Sequence, residues 1–515
     1  MKKLICILGF ALAAGFAVAK SSLPNILFIP IDDLKPVLGC FGDEIIQTPN
    51  IDRLAERGTV FLNTACQQAL CGPSRASIMT GLYPDQTGVW DLETKMRDVD
   101  PDVLTLPQYF RQQGYATTGL GKTFDPRCVD NRTDLDAPSW SIPYGSVSAE
   151  RSMDHYQDYV NPMTIEAGQK AEAQLAGKVF NPGYLKNRAM AEIGGPLARP
   201  ATECMDVPDD AYPDGALANA AVQMLDRLAA GDKPFFLSVG FHKPHLPFVA
   251  PKKYWDLYDR DEIDLAAFRN PPKGAPMIAM KGTGGNGELG QYSDIPREDD
   301  LPVELQKRLI HGYMATVSYM DAQLGKVLDH LEKAGLAENT VICFWGDHGF
   351  HLGDHKLWTK HTNFEQAVRS PLIIAGPKGL SGNTSQSPAE FVDVFPTLCE
   401  LAGLDIPEHL PGKSLVPIMK DPTALVRPDA MAQYTRGSTM GYTLRDERHR
   451  YVKWLKMDYR KGERTGVLVA KELYDYKTDP LETKNLVDDP EYHEVVKAFE
   501  KSFKIRGVAQ ENKVK

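Results

Sequence analysis

The chain of 515 residues has no surplus of positive charge: 58 Lys and Arg face 68 Asp and Glu, for a formal net charge of −10. That balance excludes a global attraction for nucleic acid or an anionic polysaccharide, so an anionic substrate must be met by cations gathered in one pocket. Beyond the N-terminus there is no apolar run of the ~20 residues that a bilayer crossing needs, so no stable membrane anchor is expected. No C-x-x-C pair and no H-E-x-x-H occurs, which argues against a zinc ribbon and that class of zinc site. Internal repeats and low-complexity tracts are also missing. With 43% hydrophobic and 24% charged residues, 42 Gly and 37 Pro, disorder, collagen and coiled coil are excluded as the main architecture.

Residues 1–19 read as a secretory signal: Lys2 and Lys3, an apolar run from Leu4 to Phe16, then the small-x-small Ala17-Val18-Ala19. Its removal makes the net charge two units more negative and implies a secreted or periplasmic protein. Cys6 leaves with it, and the other seven cysteines are an odd number, so at least one stays unpaired.

Three short apolar runs read as buried parallel strands. Ile26–Ile31 ends at Asp32-Asp33, Pro234–Gly240 leads to His242 and His245, and Thr340–Trp345 ends in Gly346-Asp347-His348-Gly349. Open α/β sheets place their ligand crevice at such carboxyl ends. Apolar residues at three-and-four spacing from Leu309 to Leu331 predict a long helix. Strand and helix alternate, so the expected core is a mainly parallel sheet between helices. The glycine-rich stretch 281–290 lacks a Gly-Lys-Ser/Thr ending and reads as a mobile surface loop. Past Pro428, segments near 442–445, 450–454 and 472–476, then a helix near 490–504, predict a small antiparallel sheet plus helix.

Cys71-Gly72-Pro73-Ser74-Arg75 opens a helix, with Pro73 expected at its first position and Gly81 at its end. A helix N-terminus at Cys71 favours an anion, whether a thiolate or a bound oxyanion. The carboxylates Asp32, Asp33 and Asp347, with His348 beside them, suit a hard divalent cation. His351 and His355 are expected as pocket lining or surface. Lys122 and Lys360, taken singly, read as solvated lysines.

Together these motifs resemble the type I sulfatases of the alkaline phosphatase superfamily. The signature is Cys71-x-Pro73-Ser74-Arg75 with Thr80-Gly81, the recognition sequence for oxidation of the cysteine to Cα-formylglycine. Within the family the likeness is to the iduronate 2-sulfatase branch, through Asp32-Asp33-Leu34-Lys35-Pro36, Gln67–Cys71, Gly240–His245, Asp347-His348-Gly349, Lys360–Phe364 and Gln433-Tyr434. The resemblance implies an α/β alkaline-phosphatase-like fold: a signal peptide at 1–19, a catalytic domain at 20–427 with a large mixed, mainly parallel sheet, and a small C-terminal subdomain at 428–515. It implies a calcium ion, with Mg²⁺ the lesser alternative, held by Asp32, Asp33, Asp347, His348 and the formylglycine made from Cys71. Arg75 and Lys122 would hold and polarise the formylglycine, while His245 and Lys360 would neutralise the sulfate and assist departure of the alcohol. The implied substrate is a sulfated saccharide, a 2-O-sulfate of an iduronate-like uronic acid. The implied partner is a formylglycine-generating or anaerobic sulfatase-maturating enzyme.

One departure bears on the sugar. Where that branch has His three residues after the lysine at 122, this chain has Asp125, which is expected to repel a sugar carboxylate. An algal sulfated polysaccharide is therefore an alternative substrate. A phosphonate monoester or phosphodiester hydrolase of the same superfamily, and an unmodified carbohydrate-binding protein, are the rival readings.

Overall fold

The structure is a computed structural model that describes residues 23–508 except 131–134, 181–183, 281–286, 297–299, 378–381 and 459–462. The expected signal peptide and most of the glycine-rich stretch lie outside the described residues.

Seven strands form the central sheet: β1 (Asn25–Ile31), β2 (Thr59–Phe61), β3 (Ala116–Gly121), β4 (Phe235–Gly240), β5 (Thr340–Gly346), β6 (Leu372–Ala375) and β7 (Asn383–Ser385). Their spatial order is β7-β2-β6-β5-β1-β4-β3. Neighbours are parallel except at β6, which runs against both β5 and β2. The three strands legible in the sequence are the adjacent centre of the sheet, with Ile26 opposite both Val341 and Phe236. Every residue of β1 and β5 is buried. The pleat sends Leu27, Ile29 and Ile31 into one core layer and Ile26 and Phe28 into the other, which is why these strands read as unbroken apolar runs.

The first layer is filled by the long helix, which spans Val303–Lys333 and buries Leu309, Tyr313, Val317, Met320 and Leu324. The second is filled partly by the helix Cys71–Thr80, here α1, through Ile78 and Met79. This helix starts at Cys71 itself, with Leu70 extended before it, so Pro73 is its third residue rather than its first. A proline is harmless there because first-turn amides have no partner within the helix. Gly81 ends α1 at φ +69°, as expected of a left-handed cap.

A four-stranded antiparallel meander follows, β8 (Ala430–Thr435), β9 (Thr439–Arg445), β10 (His449–Asp458) and β11 (Glu463–Asp475). A C-terminal helix, His493–Arg506, covers it, with Phe499 stacked on Tyr451 at 5.7 Å. The subdomain is tied to the chain entering α1: Gln433 N donates to the Gln67 carbonyl at 2.8 Å, and Gln67 Nε2 donates to the Met431 carbonyl at 3.0 Å. Cys40, Cys66, Cys71, Cys128, Cys204, Cys343 and Cys399 are all unpaired. No helix among the described residues is long and apolar enough to cross a membrane.

Two glycines let β3 and β4 close together at the ends that carry Lys122 and His242. Gly121 has φ +72°, and a Cβ on it would stand 2.1 Å from the Gly240 carbonyl oxygen. Gly121→Ala therefore combines a left-handed backbone with a backbone clash and is expected to cost about 2 kcal/mol or more. The thermal unfolding midpoint should fall by about two degrees or more; an unchanged midpoint would contradict this account of the strand ends.

Candidate active site

The site sits at the carboxyl ends of the central strands. β1 delivers Asp32 and Asp33, β5 delivers Asp347 and His348, β3 is followed by Lys122, and the loop after β4 carries His245. Cys71 enters from the N-terminus of α1, beneath these ends. Asp33 holds φ +61°, an uncommon conformation for a residue with a side chain. It is fixed there because Asp33 N donates to Asp347 Oδ1 at 2.9 Å and the Tyr313 hydroxyl donates to the Asp33 carbonyl at 2.9 Å.

The ligand-type atoms of Asp33, Cys71, Asp347 and His348 all lie within 4.8 Å of one another, and all four residues are buried. His348 Nδ1 donates to the Gly349 carbonyl at 3.0 Å, which fixes the ring and aims Nε2 into the site. Nε2 points at Asp33 Oδ1 (3.4 Å), Asp347 Oδ1 (3.5 Å) and Cys71 Sγ (3.3 Å). Ligand-type atoms gathered in a buried space, with a carbonyl fixing the imidazole, could hold a metal ion, and the oxygen-rich set fits calcium. Burial, then the Asp32 charge, pushes the Cys71 thiol well above its ordinary range. An unmodified thiol here is a poor nucleophile.

Asp32 stands at the edge of this group with both oxygens engaged. Arg75 Nη2 donates to Oδ1 at 3.1 Å and Lys122 Nζ to Oδ2 at 2.6 Å. Burial alone would raise the Asp32 carboxyl, but Lys122, His245 and Arg75 hold it well below the usual range. Arg75 is fully buried; it also donates to Asp347 Oδ2 at 2.9 Å and to the Thr123 carbonyl at 3.1 Å. One guanidinium thus locks the ends of β1 and β5 and the turn after β3 to the helix that carries Cys71.

Lys360 is 2% exposed, so it is no solvated lysine; its Nζ donates to Asp33 Oδ1 and Oδ2 at 3.0 and 2.9 Å. Thr359 and His361 on either side have positive φ, and Arg436, between β8 and β9, clamps the turn by donating to the His361 carbonyl. His245 Nδ1 donates to the Leu246 carbonyl at 2.6 Å, which leaves Nε2 towards Asp33 Oδ2 at 3.7 Å. Burial opposes a charge on His245, but Asp33 and other carboxylates raise its pKa above the ordinary value.

Three contributing residues were not among the expected site residues. Lys243 is buried and donates to the His245 and Pro247 carbonyls at 3.0 and 2.9 Å, shaping the loop that carries His245. Arg436 acts from the C-terminal sheet. Glu288, from the stretch read as a surface loop, places its carboxylate 3.2 Å from His245 Nε2 and 2.7 Å from Lys360 Nζ. A lone acid in a glycine-rich run carries no pattern that would reveal this. His351 and His355, expected as pocket lining or surface, are buried structural residues instead. His351 Nε2 bonds Thr362 Oγ1 at 2.9 Å, and His355 Nε2 donates to the Leu481 carbonyl at 2.8 Å, joining the site's loop to the C-terminal part of the chain.

The Sulfatase family profile matches residues 24–404, and the C-terminal profile of N-sulphoglucosamine sulphohydrolase matches 353–508. The chain belongs to the sulfatase family. This sulfatase is 32% identical to iduronate 2-sulfatase of Homo sapiens, over 90% of its own length and 91% of that protein. Its fold is that of a phosphonate monoester hydrolase of Agrobacterium radiobacter (TM-score 0.69, 24% identity, 94% and 96% of the two chains covered). It is also that of BT1596, a 2-O GAG sulfatase (TM-score 0.65, 21% identity, 94% and 92% covered). The sulfatase is therefore a hydrolase whose cluster of Asp33, Cys71, Asp347 and His348 is of the formylglycine type.

The Glu288 carboxylate pairs with Lys360 and His245, the two groups expected to meet the sulfate. Glu288→Gln is expected to strengthen inhibition by inorganic sulfate several-fold, measured as the inhibition constant with an aryl sulfate substrate. Equal or weaker inhibition would show that Glu288 does not compete for that position.

Proposed function

We propose that this sulfatase removes a sulfate ester from a sulfated saccharide, the 2-O-sulfate of an iduronate-like uronic acid, after conversion of Cys71 to formylglycine. The observation that carries the reading is the position of Cys71, on a helix N-terminus among Asp33, Asp347 and His348 and ringed by Arg75, Lys122, Lys360 and His245. The likeness to the human iduronate 2-sulfatase, across nearly all of both chains, supports the choice of sugar.

Asp33, Asp347, His348 and residue 71 would hold the calcium ion, with Asp32 beside them; the bound ion would stabilise negative charge on the oxygen at residue 71. Formylglycine, as its hydrate, would supply an oxygen nucleophile there and a second hydroxyl for release of sulfate. Lys122 and Arg75 hold Asp32 in place and add positive potential where that oxygen ionises. Lys360 Nζ is placed to meet sulfate oxygens once Glu288 gives way. His245, with Nδ1 fixed on a carbonyl, presents Nε2–H to the departing sugar oxygen. The net positive field is local, as the acidic balance of the chain requires. Cys71 is only 2% exposed, so a maturating enzyme would have to reach the Cys71–Arg75 segment before the fold encloses it. Secretion or export by residues 1–19 belongs to the same proposal.

The test is sulfate release by the purified, formylglycine-containing protein from a defined 2-O-sulfated uronate disaccharide, algal sulfated oligosaccharides and a phosphonate monoester. Release from the uronate is the expected result. Release only from an algal sugar would move the substrate, and turnover of the phosphonate alone would overturn the sulfate reading. Cys71→Ala is expected to lower kcat by at least about a thousandfold with the thermal midpoint preserved; full activity would remove the nucleophile assignment.

A further inference from the structure

Asp125, expected to repel a sugar carboxylate, is not a free anion. It is 1% exposed, and its carboxylate accepts from Arg127 three times: from the backbone N at 3.0 Å, Nε at 2.9 Å and Nη2 at 2.7 Å. Burial opposes its ionisation, but the Arg127 bonds and the Lys122 charge hold the carboxyl at about 2. Asp125 is thereby spent as the cap of the turn Pro126–Cys128 and as the anchor of a guanidinium.

The anchored group is open to the outside: the Arg127 side chain is 52% exposed while that of Asp125 is 0% exposed. Among the described residues Arg127 Nη1 makes no hydrogen bond, so one N–H of Nη1 and the second N–H of Nη2 remain as a parallel pair in a fixed plane. The turn is also close to the nucleophile. A Cβ on Gly72, the residue after Cys71, would stand 2.5 Å from Cys128 Sγ, so the Arg127 turn packs against the start of α1. Lys122, whose Nζ reaches Asp32, lies three residues before Asp125 in the same loop.

We propose that Arg127, oriented by buried Asp125, is the specificity-determining residue that receives the carboxylate of the sugar beside the sulfate ester. The inference rests on the sulfatase reading above and names the chemistry of the substrate at that same site. A guanidinium fork matches a planar carboxylate with two parallel hydrogen bonds, which an ammonium cannot do. Freely mobile surface arginines gain little from such a contact, because ordering the side chain offsets it. Here the Asp125 contacts have already ordered it.

The experiment compares the full-length, formylglycine-containing protein with Arg127→Gln and Arg127→Lys on three substrates. These are a 2-O-sulfated uronate glycoside, the matched 2-O-sulfated glycoside with a neutral hydroxymethyl group, and 4-nitrophenyl sulfate. For Arg127→Gln the ratio of kcat/KM on the uronate to that on the neutral sugar is expected to fall about tenfold to a hundredfold, through KM rather than kcat. Arg127→Lys should recover part of the loss. An equal loss on both glycosides would make Arg127 merely structural, and an unchanged ratio would also overturn the proposal. If the wild-type protein hydrolyses the aryl sulfate and the neutral sugar but not the uronate, Arg127 loses its role and the sulfatase reading stands. If it hydrolyses no sulfate ester, that reading fails first and the role of Arg127 falls with it.

Discussion

The constraint on which the rest of the structure depends is the convergence of acceptor atoms at the carboxyl ends of β1 and β5. Two carboxylates about 4 Å apart repel by about 4 kcal/mol at the effective dielectric of a protein site. Asp33 Oδ1, Asp347 Oδ1 and His348 Nε2 share one small buried space. The chain meets that cost with Arg75, Lys122 and Lys360, each of which reaches a different carboxylate oxygen from a different element. With Glu288 and a protonated His245 included, four anions face four cations. A bound divalent cation would add two positive charges, matching an ionised nucleophile and a monoanionic sulfate ester together.

The same constraint explains the architecture around the site. Arg75 can sit fully buried only because the sheet ends and the turn after β3 bring carboxylates and carbonyls to it. α1 can present Cys71 at its start only because the preceding segment is pinned by Gln67 and Gln433 to the C-terminal sheet. That sheet also reaches the turn of Lys360 through Arg436. The C-terminal subdomain is thus part of how the site is held, and its loss would loosen both the start of α1 at Cys71 and the turn that carries Lys360.

The fold was legible where burial on both faces leaves an unbroken apolar run, as in β1, β4 and β5, and where helical periodicity is long, as in 303–333. β3 was not, because its run Ala116-Thr117-Thr118-Gly119 carries little apolar signal and is made a strand by pairing with β4. In the site, the paired aspartates and Asp347-His348 were legible as a candidate cation site because they stand at strand ends, while Cys71 and Arg75 took their roles from the family motif. Lys122 and Lys360 were legible only through family resemblance, since a lysine read singly shows nothing of its burial. Glu288 and Arg436 depend on tertiary contacts, whereas Lys243 and the Asp125–Arg127 pair depend on local turn geometry that residue type alone does not show.

The central claim is that this buried acceptor cluster is a divalent cation site. The most direct test is thermal unfolding of chelator-treated protein titrated with calcium. A ligand that binds only the native state raises stability as its concentration exceeds the dissociation constant, by about 2.7 kcal/mol at a hundredfold excess. The account predicts a midpoint that rises with calcium and saturates, with the rise lost in Asp33→Asn. A midpoint indifferent to calcium in the wild-type protein would contradict it.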